Sequence, residues 1–193
     1  MANIGKSDAY WEGKMKKARI TIALAILSIA VTALAQDKPI PSQSGVYYHS
    51  PTGYVRMERI HASGQNTSGK AKSMFSYGIA KVGVEWTYNN PHSILQLSDH
   101  RPVFVFISPV ETSTQDIVLT RFDQKKDHRE MMVASASAYT GTKMGPKNTV
   151  PISVTRDEGN NLIITPLEDL PAGEYFLITD LSSGYEGHDF GVF

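Results

Sequence analysis

The sequence contains no cysteine among its 193 residues. Disulfide bonds, cysteine metal ligands and the lipid-modified cysteine of a lipoprotein are therefore excluded, and the fold depends on its core alone. Helical heptads and internal repeats are also absent, which argues against coiled coils and solenoids. Neither sign of charge dominates, because fourteen Lys and Arg stand against seventeen Asp and Glu after residue 35. The chain thus offers no basic patch, and we expect no nucleic-acid partner.

The amino-terminal part lacks an apolar run of the usual membrane-spanning length. Its apolar run, Ile20–Ala35, is shorter than the roughly 20 residues that a spanning helix needs. The run follows a basic cluster at Lys14–Arg19 and ends with the small residues Ala33 and Ala35. This order is typical of a secretory signal peptide that is cleaved before Gln36. We predict export to the periplasm or the exterior, with membrane contact only through this segment before cleavage; an uncleaved anchor is the alternative.

Residues 1–14 differ from an export signal. They include Asp8, Tyr10, Trp11 and Glu12, whereas a signal peptide begins with a short basic segment. We therefore predict that translation starts at Met15 and that the signal peptide ends at residue 35.

The rest of the chain reads as a flexible lead-in over residues 36–44 and one domain over residues 45–193. Short runs rich in Val, Ile, Tyr and Phe alternate there with Gly, Pro, Asn, Asp and Ser, a pattern typical of all-β domains. We predict a single β-sandwich of the Greek-key, immunoglobulin- or transthyretin-like kind, with roughly eight to eleven strands. Val103–Ile107 is apolar at every position, so it is predicted to be central and covered on both faces. The polar stretches 61–72 and 139–147 are predicted to be loops.

One motif bears on the topology. The order Leu170, Pro171, Gly173, Tyr175 is that of a tyrosine corner, in which the phenol bonds the upstream backbone and fixes a Greek-key crossover. An ordinary Pro-Gly turn before a strand explains the same residues and stays open as an alternative.

A candidate ligand-binding group consists of Trp86, Tyr88 and His92. The two aromatic residues lie on the same face of a predicted strand, next to a polar turn. An exposed aromatic pair would bind a sugar or a peptide. The competing interpretation places both rings in the core, where aromatic side chains are most often found.

No catalytic or metal-binding signature stands out. The histidines lack the i, i+4 spacing of a helical zinc site, and no Gly-x-Ser-x-Gly elbow occurs. We predict no cofactor and no metal. A hydrolase site built from loops, using His92, His100 or His188, remains the alternative. The carboxylates, Glu174 included, are isolated along the sequence, and the charged stretch 121–130 is predicted to be a solvated hairpin tip.

Several segments resemble a group of uncharacterised exported bacterial β-rich proteins. They are Arg101–Phe106, Asp116–Asp123, Arg129-Glu130, Pro171–Tyr175 and Asp189–Val192. The resemblance implies export and a β-rich domain. The group has no established activity, so it implies no catalytic residue. The resulting hypothesis is an exported, non-enzymatic module of the cell envelope or exterior that binds a protein or a glycan.

Overall fold

The computed structural model describes residues 39–68, 82–137, 141–180 and 186–193. Within these ranges the regular secondary structure is almost entirely β-strand, which confirms the predicted all-β class. The single helical element among them is a 3₁₀ turn at Thr114–Asp116, where the Ser113 hydroxyl accepts from the Gln115 amide. None of the described segments forms a helix of the length and apolarity needed to cross a membrane.

Several predictions concern residues outside these ranges. They are the signal segment 1–35, the start at Met15 and the cleavage residues Ala33, Ala35 and Gln36. The described end of the lead-in, residues 40–44, forms no strand and is mostly exposed. Ile40 and the residues after it belong to one compact unit.

The described residues form sixteen strands, more than the sequence predicts. They are β1 (Gly45–Ser50), β2 (Gly53–Arg56), β3 (Arg59–Ile60), β4 (Gly64–Ser68), β5 (Val82–Asn89), β6 (Gln96–Leu97), β7 (Val103–Ile107), β8 (Val118–Arg121), β9 (Asp123–Gln124), β10 (His128–Ser137), β11 (Gly141–Met144), β12 (Thr149–Val150), β13 (Ile152–Arg156), β14 (Leu162–Pro166), β15 (Gly173–Ile178) and β16 (Gly187–Val192). The loops predicted at 61–72 and 139–147 instead contain β4 and β11. Both are edge strands made mostly of polar residues and glycine, so only their backbone ladders to β5 and β10 reveal them.

The strands make three hydrogen-bonded sheets. Sheet A has the order β13-β14-β7-β1-β2, and sheet B has the order β12-β8-β15-β16-β3, with β6 also paired to β16. Sheet C has the order β11-β10-β5-β4, with β9 paired to β10. All pairs are antiparallel except β6 with β16.

Sheet B contributes to two hydrophobic cores. The first core joins sheets A and B and includes Phe104, Ile164, Tyr175 and Phe190. The second core joins sheets B and C through residues that include Tyr88, Phe122, Met131 and Phe176. The predicted sandwich is therefore present, and sheet C adds a second core that the sequence does not predict.

β15 contributes side chains to both cores. Because side chains alternate across a strand, Tyr175 and Leu177 enter the first core while Phe176 and Ile178 enter the second. All four are almost fully buried. The predicted central strand, β7, is the middle strand of sheet A, with Phe104 and Val105 buried.

The crossover from sheet A to sheet B carries the hydrogen bond of a tyrosine corner. Tyr175, on β15, donates from its hydroxyl to the carbonyl oxygen of Pro171 at 2.5 Å. Leu170 is buried in the first core, and its amide donates to the carbonyl oxygen of His100. These contacts fix the entry into β15, and hence the position of Glu174 next to Gly173.

The segment Gly53–Ser68 runs along the edges of all three sheets. Its strands β2, β3 and β4 are the edge strands of sheets A, B and C respectively. The chain therefore passes from one layer to the next on one side of the molecule, and most of its residues are exposed.

Candidate functional site

The edge of β16 that faces away from β15 has a gap in its pairing. β3 pairs with β16 at Gly187 and His188, and β6 pairs with it at Gly191 and Val192. Asp189 lies between these two ladders, and neither strand pairs with it. The gap is an interruption in the edge of sheet B.

A cavity of about 410 Å³ opens at this gap, and we call it the β16 cleft. One wall is the β2–β3 segment, the other is the loop that joins β5 to β6, and Asp189 lies between them. The lining residues are Val55, Arg56, Met57, Glu58, Ile60, His61, Tyr88, Asn89, Asn90, His92, Ile94, Leu95, Arg129 and Asp189. The volume lies within the usual range for sites that hold small ligands or side chains.

Two apolar side chains at the cleft are exposed to solvent. Ile94 is 93% exposed and Val55 is 41% exposed. Single exposed apolar residues are common on protein surfaces. These two, however, line the same cavity, together with the partly buried Leu95. Apolar surface is therefore exposed at the opening of the cleft.

A buried carboxylate anchors the β5–β6 loop. Glu174 is 4% exposed. Its Oε2 accepts from the amide and the hydroxyl of Ser93, at 2.8 and 2.7 Å. Its Oε1 contacts Nδ1 of His92 at 3.0 Å and accepts from Nε2 of Gln96 at 3.2 Å. Four contacts from three neighbouring residues thus hold one wall of the cleft on sheet B.

A buried guanidinium completes this arrangement. Arg129, on β10 of sheet C, is 3% exposed and lies over the Phe122 ring. Its Nη1 donates to Oδ2 of Asp189 at 2.6 Å and to Oγ of Ser93 at 2.5 Å. Its remaining donors reach the carbonyl oxygens of Asn89 and Asn90. We call Ser93, Gln96, Arg129, Glu174 and Asp189, together with His92, the Glu174 network.

Hydrogen bonding sets the ionisation of Glu174. Burial disfavours the charged carboxylate and raises its pKa, but the donors from Ser93, His92 and Gln96 outweigh burial, so the pKa of Glu174 lies below its ordinary value. Glu174 is therefore ionised at neutral pH, and its charge faces that of Arg129, whose Nη1 lies 3.6 Å from Oε2.

The network requires a glycine on β16. Gly191 pairs with Glu174 across the β15–β16 ladder. A side chain at this position would overlap the amide of Gln96. The absence of a side chain therefore lets Gln96 cross β16 and reach Glu174.

Two histidines of the cleft are oriented by carboxylates. Nδ1 of His92 lies 3.0 Å from Glu174, and Nδ1 of His61 lies 2.9 Å from Oε1 of Glu186. A carboxylate partner places the proton on Nδ1 and leaves Nε2 as an acceptor. Both imidazoles are well exposed at the cleft rim, and the side-chain amide nitrogen of Gln124 lies 3.4 Å from Nε2 of His92.

The structure brings Tyr88 and His92 of the predicted ligand-binding group to the β16 cleft, whereas Trp86 is not among the residues that line it. Tyr88 is 1% exposed and packs against Phe122 and Phe176, and Trp86 packs against the same core. The exposed aromatic pair is not found: sheet C stacks on sheet B and buries Tyr88, while Trp86 is partly buried against the same core. His92 alone is exposed, at the rim of the cleft.

The three histidines of the hydrolase alternative do not share a cavity. His188 lines a different cavity of about 1020 Å³, and its Nδ1 donates to the carbonyl oxygen of Glu58. Burial lowers the pKa of His188. His100 bonds to the carbonyl oxygen of Leu170 at the tyrosine corner. In the described part of the chain, no three His, Asp or Glu side chains are grouped to hold a metal ion.

The sequence analysis missed Arg129 and Glu174. Arg129 falls in the stretch predicted to be a solvated hairpin tip. A signal for its burial exists, because Arg129 has the same alternation phase as the buried Met131 and Val133 on β10. Glu174 precedes four consecutive buried residues on β15, a strand covered on both faces.

Searches with models of protein families and against curated proteins find no match to this chain.

Proposed function

We propose that this protein is an exported, non-enzymatic module of the cell envelope or exterior that binds a protein or a glycan in the β16 cleft. The observation that carries the proposal is the exposure of Ile94, at 93%, over a cleft that also holds Val55. Apolar surface beside a pocket gains free energy when a partner covers it. Export rests on the sequence pattern of Lys14–Gln36.

The Glu174 network supports binding through preorganisation. Its contacts fix the loop that carries His92 and Ile94 before any ligand arrives. A rigid wall loses little conformational entropy on association, so more of the contact energy appears as affinity. Because buried charged groups hold this loop in place, the loop has the rigidity that a preorganised recognition surface needs.

Site-specific photo-crosslinking in intact cells tests the proposal. A photoreactive residue at position 94 is expected to capture a discrete envelope partner or glycan. The same residue at Met144 is the control, because Met144 is 78% exposed and lies outside the cleft lining. Equal labelling from both positions, or none from either, would contradict binding at the cleft.

Export has its own test. Mass spectrometry of the protein from the envelope and the medium is expected to find an amino-terminal peptide that starts at Gln36. A chain recovered only from the cytoplasm would contradict export, and an exported chain that retains residues 15–35 would contradict cleavage.

One observation favours the alternative, a periplasmic hydrolase. Glu174 orients His92 as a carboxylate orients a general base. The neighbouring hydroxyl, on Ser93, is bonded to Glu174 and Arg129 instead. A panel of chromogenic esters and glycosides tests this candidate. Turnover that His92→Gln abolishes, with the fold intact, would favour the hydrolase.

A further inference from the structure

We infer that a second binding site lies at one end of the first core and takes a small molecule that joins an ammonium group to an apolar body. The site is the cavity of about 1020 Å³ that His188 lines, and we call it the end cavity. The inference goes beyond the proposed function, because it does not require binding at the β16 cleft. Three properties of the end cavity carry it: two buried polar groups without partners, an apolar wall, and a negatively charged lining.

The end cavity lies where facing strands of sheets A and B end. Sheet A contributes the start of β1 and the end of β7, and sheet B contributes Thr179, directly after β15, and His188 on β16. Because side chains alternate across a strand, His188 faces the same side of β16 as Phe190, a residue of the first core. The volume is at the upper end of the range usual for small-ligand sites.

Two buried side chains of the end cavity carry polar atoms without partners. Thr179 is 3% exposed, and its hydroxyl makes no hydrogen bond within the described part of the chain. His188 is 5% exposed and uses Nδ1 to bond the carbonyl oxygen of Glu58, whereas Nε2 makes no hydrogen bond to a described residue. Fully enclosed side-chain nitrogens and oxygens of the described residues all have partners. The two unbonded atoms therefore reach accessible space, and the end cavity is the cavity that both residues line.

Nε2 of His188 is a hydrogen-bond acceptor. Nδ1 donates to Glu58 and so carries the proton, and burial lowers the pKa of His188. The imidazole is therefore neutral at neutral pH, and the lone pair of Nε2 is available. An aliphatic ammonium group has three donors and a pKa of about 10.4, as in lysine, so it can donate to Nε2 and to the Thr179 hydroxyl without losing its proton.

Apolar side chains line the same cavity. Met57 is buried, Phe106 and Ile107 are partly buried, and Val110 is 70% exposed. A ligand whose apolar body covers Val110 and the open part of Phe106 would remove apolar surface from water. The donor group and the apolar body therefore belong to one molecule.

The charge of the lining favours a cation. Four carboxylates line the end cavity against two guanidinium groups: Glu58, Glu111, Asp116, Asp180, Arg56 and Arg59. The lining is therefore net negative by two while His188 is neutral. Arg59 also pairs with Glu186, at 3.4 Å, which compensates its charge further. An ammonium group is attracted to such a lining, and a carboxylate ligand is repelled.

Ligand-observed NMR titration of the full-length protein tests the inference with three probes that share one apolar body. The probes are phenethylamine, phenethyl alcohol and hydrocinnamate, which carry an ammonium, a hydroxyl and a carboxylate group. We expect the amine to bind about tenfold more tightly than the alcohol, because its hydrogen bonds are charge-assisted. The carboxylate is expected not to bind detectably.

Substitutions in the floor of the cavity locate the bound amine. Thr179→Val removes the hydroxyl at nearly constant size, and His188→Phe removes the acceptor. Each should weaken amine binding about tenfold. Thr165→Val, outside the lining of the end cavity, is the control and should leave binding unchanged. Unfolding midpoints show which variants are folded, and Thr179→Val decides the question if His188→Phe does not fold.

A second pair of variants tests the charge. Glu111→Gln should weaken amine binding about twofold at low ionic strength. Glu158→Gln should leave it unchanged, because Glu158 is also exposed but lies outside the lining. Three results would overturn the inference: equal binding of the amine and either other probe, amine binding that Thr179→Val does not weaken, or no binding of the amine at millimolar concentration.

Discussion

Buried charge in the described chain converges on Arg129. Its guanidinium contacts groups from sheet B and from the β5–β6 loop, so it compensates Asp189 and Glu174 at once. Removing one partner from such a set is more harmful than removing the whole set, because the remaining charges stay buried without a counterion. The cost of a substitution at Arg129 therefore measures the network and not a single bond.

We expect Arg129→Met to lower the free energy of unfolding by about 3–5 kcal/mol at neutral pH. Urea denaturation measures this change. Arg156→Met is the matched control, because Arg156 is exposed and bonds to Thr112 and Asn160. Its effect should stay within about 0.5 kcal/mol. If both substitutions lowered the free energy of unfolding equally, the buried contacts of Arg129 would contribute no more than those of an exposed arginine.

Glu174 makes stability depend on pH with a definite sign. Its pKa is lower in the folded protein than in the unfolded chain, despite burial, because Ser93, His92 and Gln96 donate to the carboxylate. The stability that Glu174 contributes is therefore fully present above its unfolded pKa and is lost as pH falls through its folded pKa. Glu174→Gln should lower the free energy of unfolding by about 2 kcal/mol at neutral pH.

Urea denaturation of both proteins across a pH series measures this dependence. The difference in unfolding free energy between wild type and Glu174→Gln should become smaller as the pH drops into the acid range. His188 adds a loss common to both proteins: burial lowers its pKa, so stability falls as pH drops below the ordinary histidine pKa. If this difference in unfolding free energy stayed constant down to low pH, ionisation of Glu174 could not be its cause.

At the scale of elements, the crossover into β15 determines where Glu174 lies. The Tyr175 hydroxyl bonds to Pro171, four residues upstream. We expect Tyr175→Phe to cost about 1 kcal/mol, because a partly buried carbonyl loses its partner. Tyr47→Phe is the control: its hydroxyl bonds to Gln43, also four residues upstream, but outside this crossover. Thermal unfolding compares the two, and a larger loss for Tyr47→Phe would argue against the corner as a structural clamp.

Local signals in the sequence identify some elements and not others. The turn Pro51-Thr52-Gly53 predicts the hairpin of β1 and β2, and the order from Leu170 to Tyr175 predicts the crossover bond. Such features depend on neighbouring residues. The Glu174 network joins residues about eighty positions apart, such as Ser93 and Glu174. No local pattern encodes those contacts, and the gap in β16 exists only once three chain segments meet.

At the scale of the whole molecule, β15 couples the two cores. Its side chains enter the first and the second core alternately. Loss of either core would expose one face of this strand, so the two cores should unfold together. Cooperative unfolding is usual for a unit of this size. The arrangement of sheet B therefore predicts a single transition and not two.

A pair of matched substitutions tests this coupling. Ile164→Val affects the first core and Ile178→Val the second, and both side chains are fully buried. Each should lower stability by about 1 kcal/mol. Trp86 packs against the second core and is the only tryptophan in the sequence after residue 35, so its fluorescence in the protein that starts at Gln36 reports that core, while far-ultraviolet circular dichroism reports all strands. Both signals should shift together in both variants, because β15 cannot leave one core and keep the other. If Ile178→Val moved the fluorescence transition and left the dichroism transition in place, the cores would be independent and the single-transition prediction wrong.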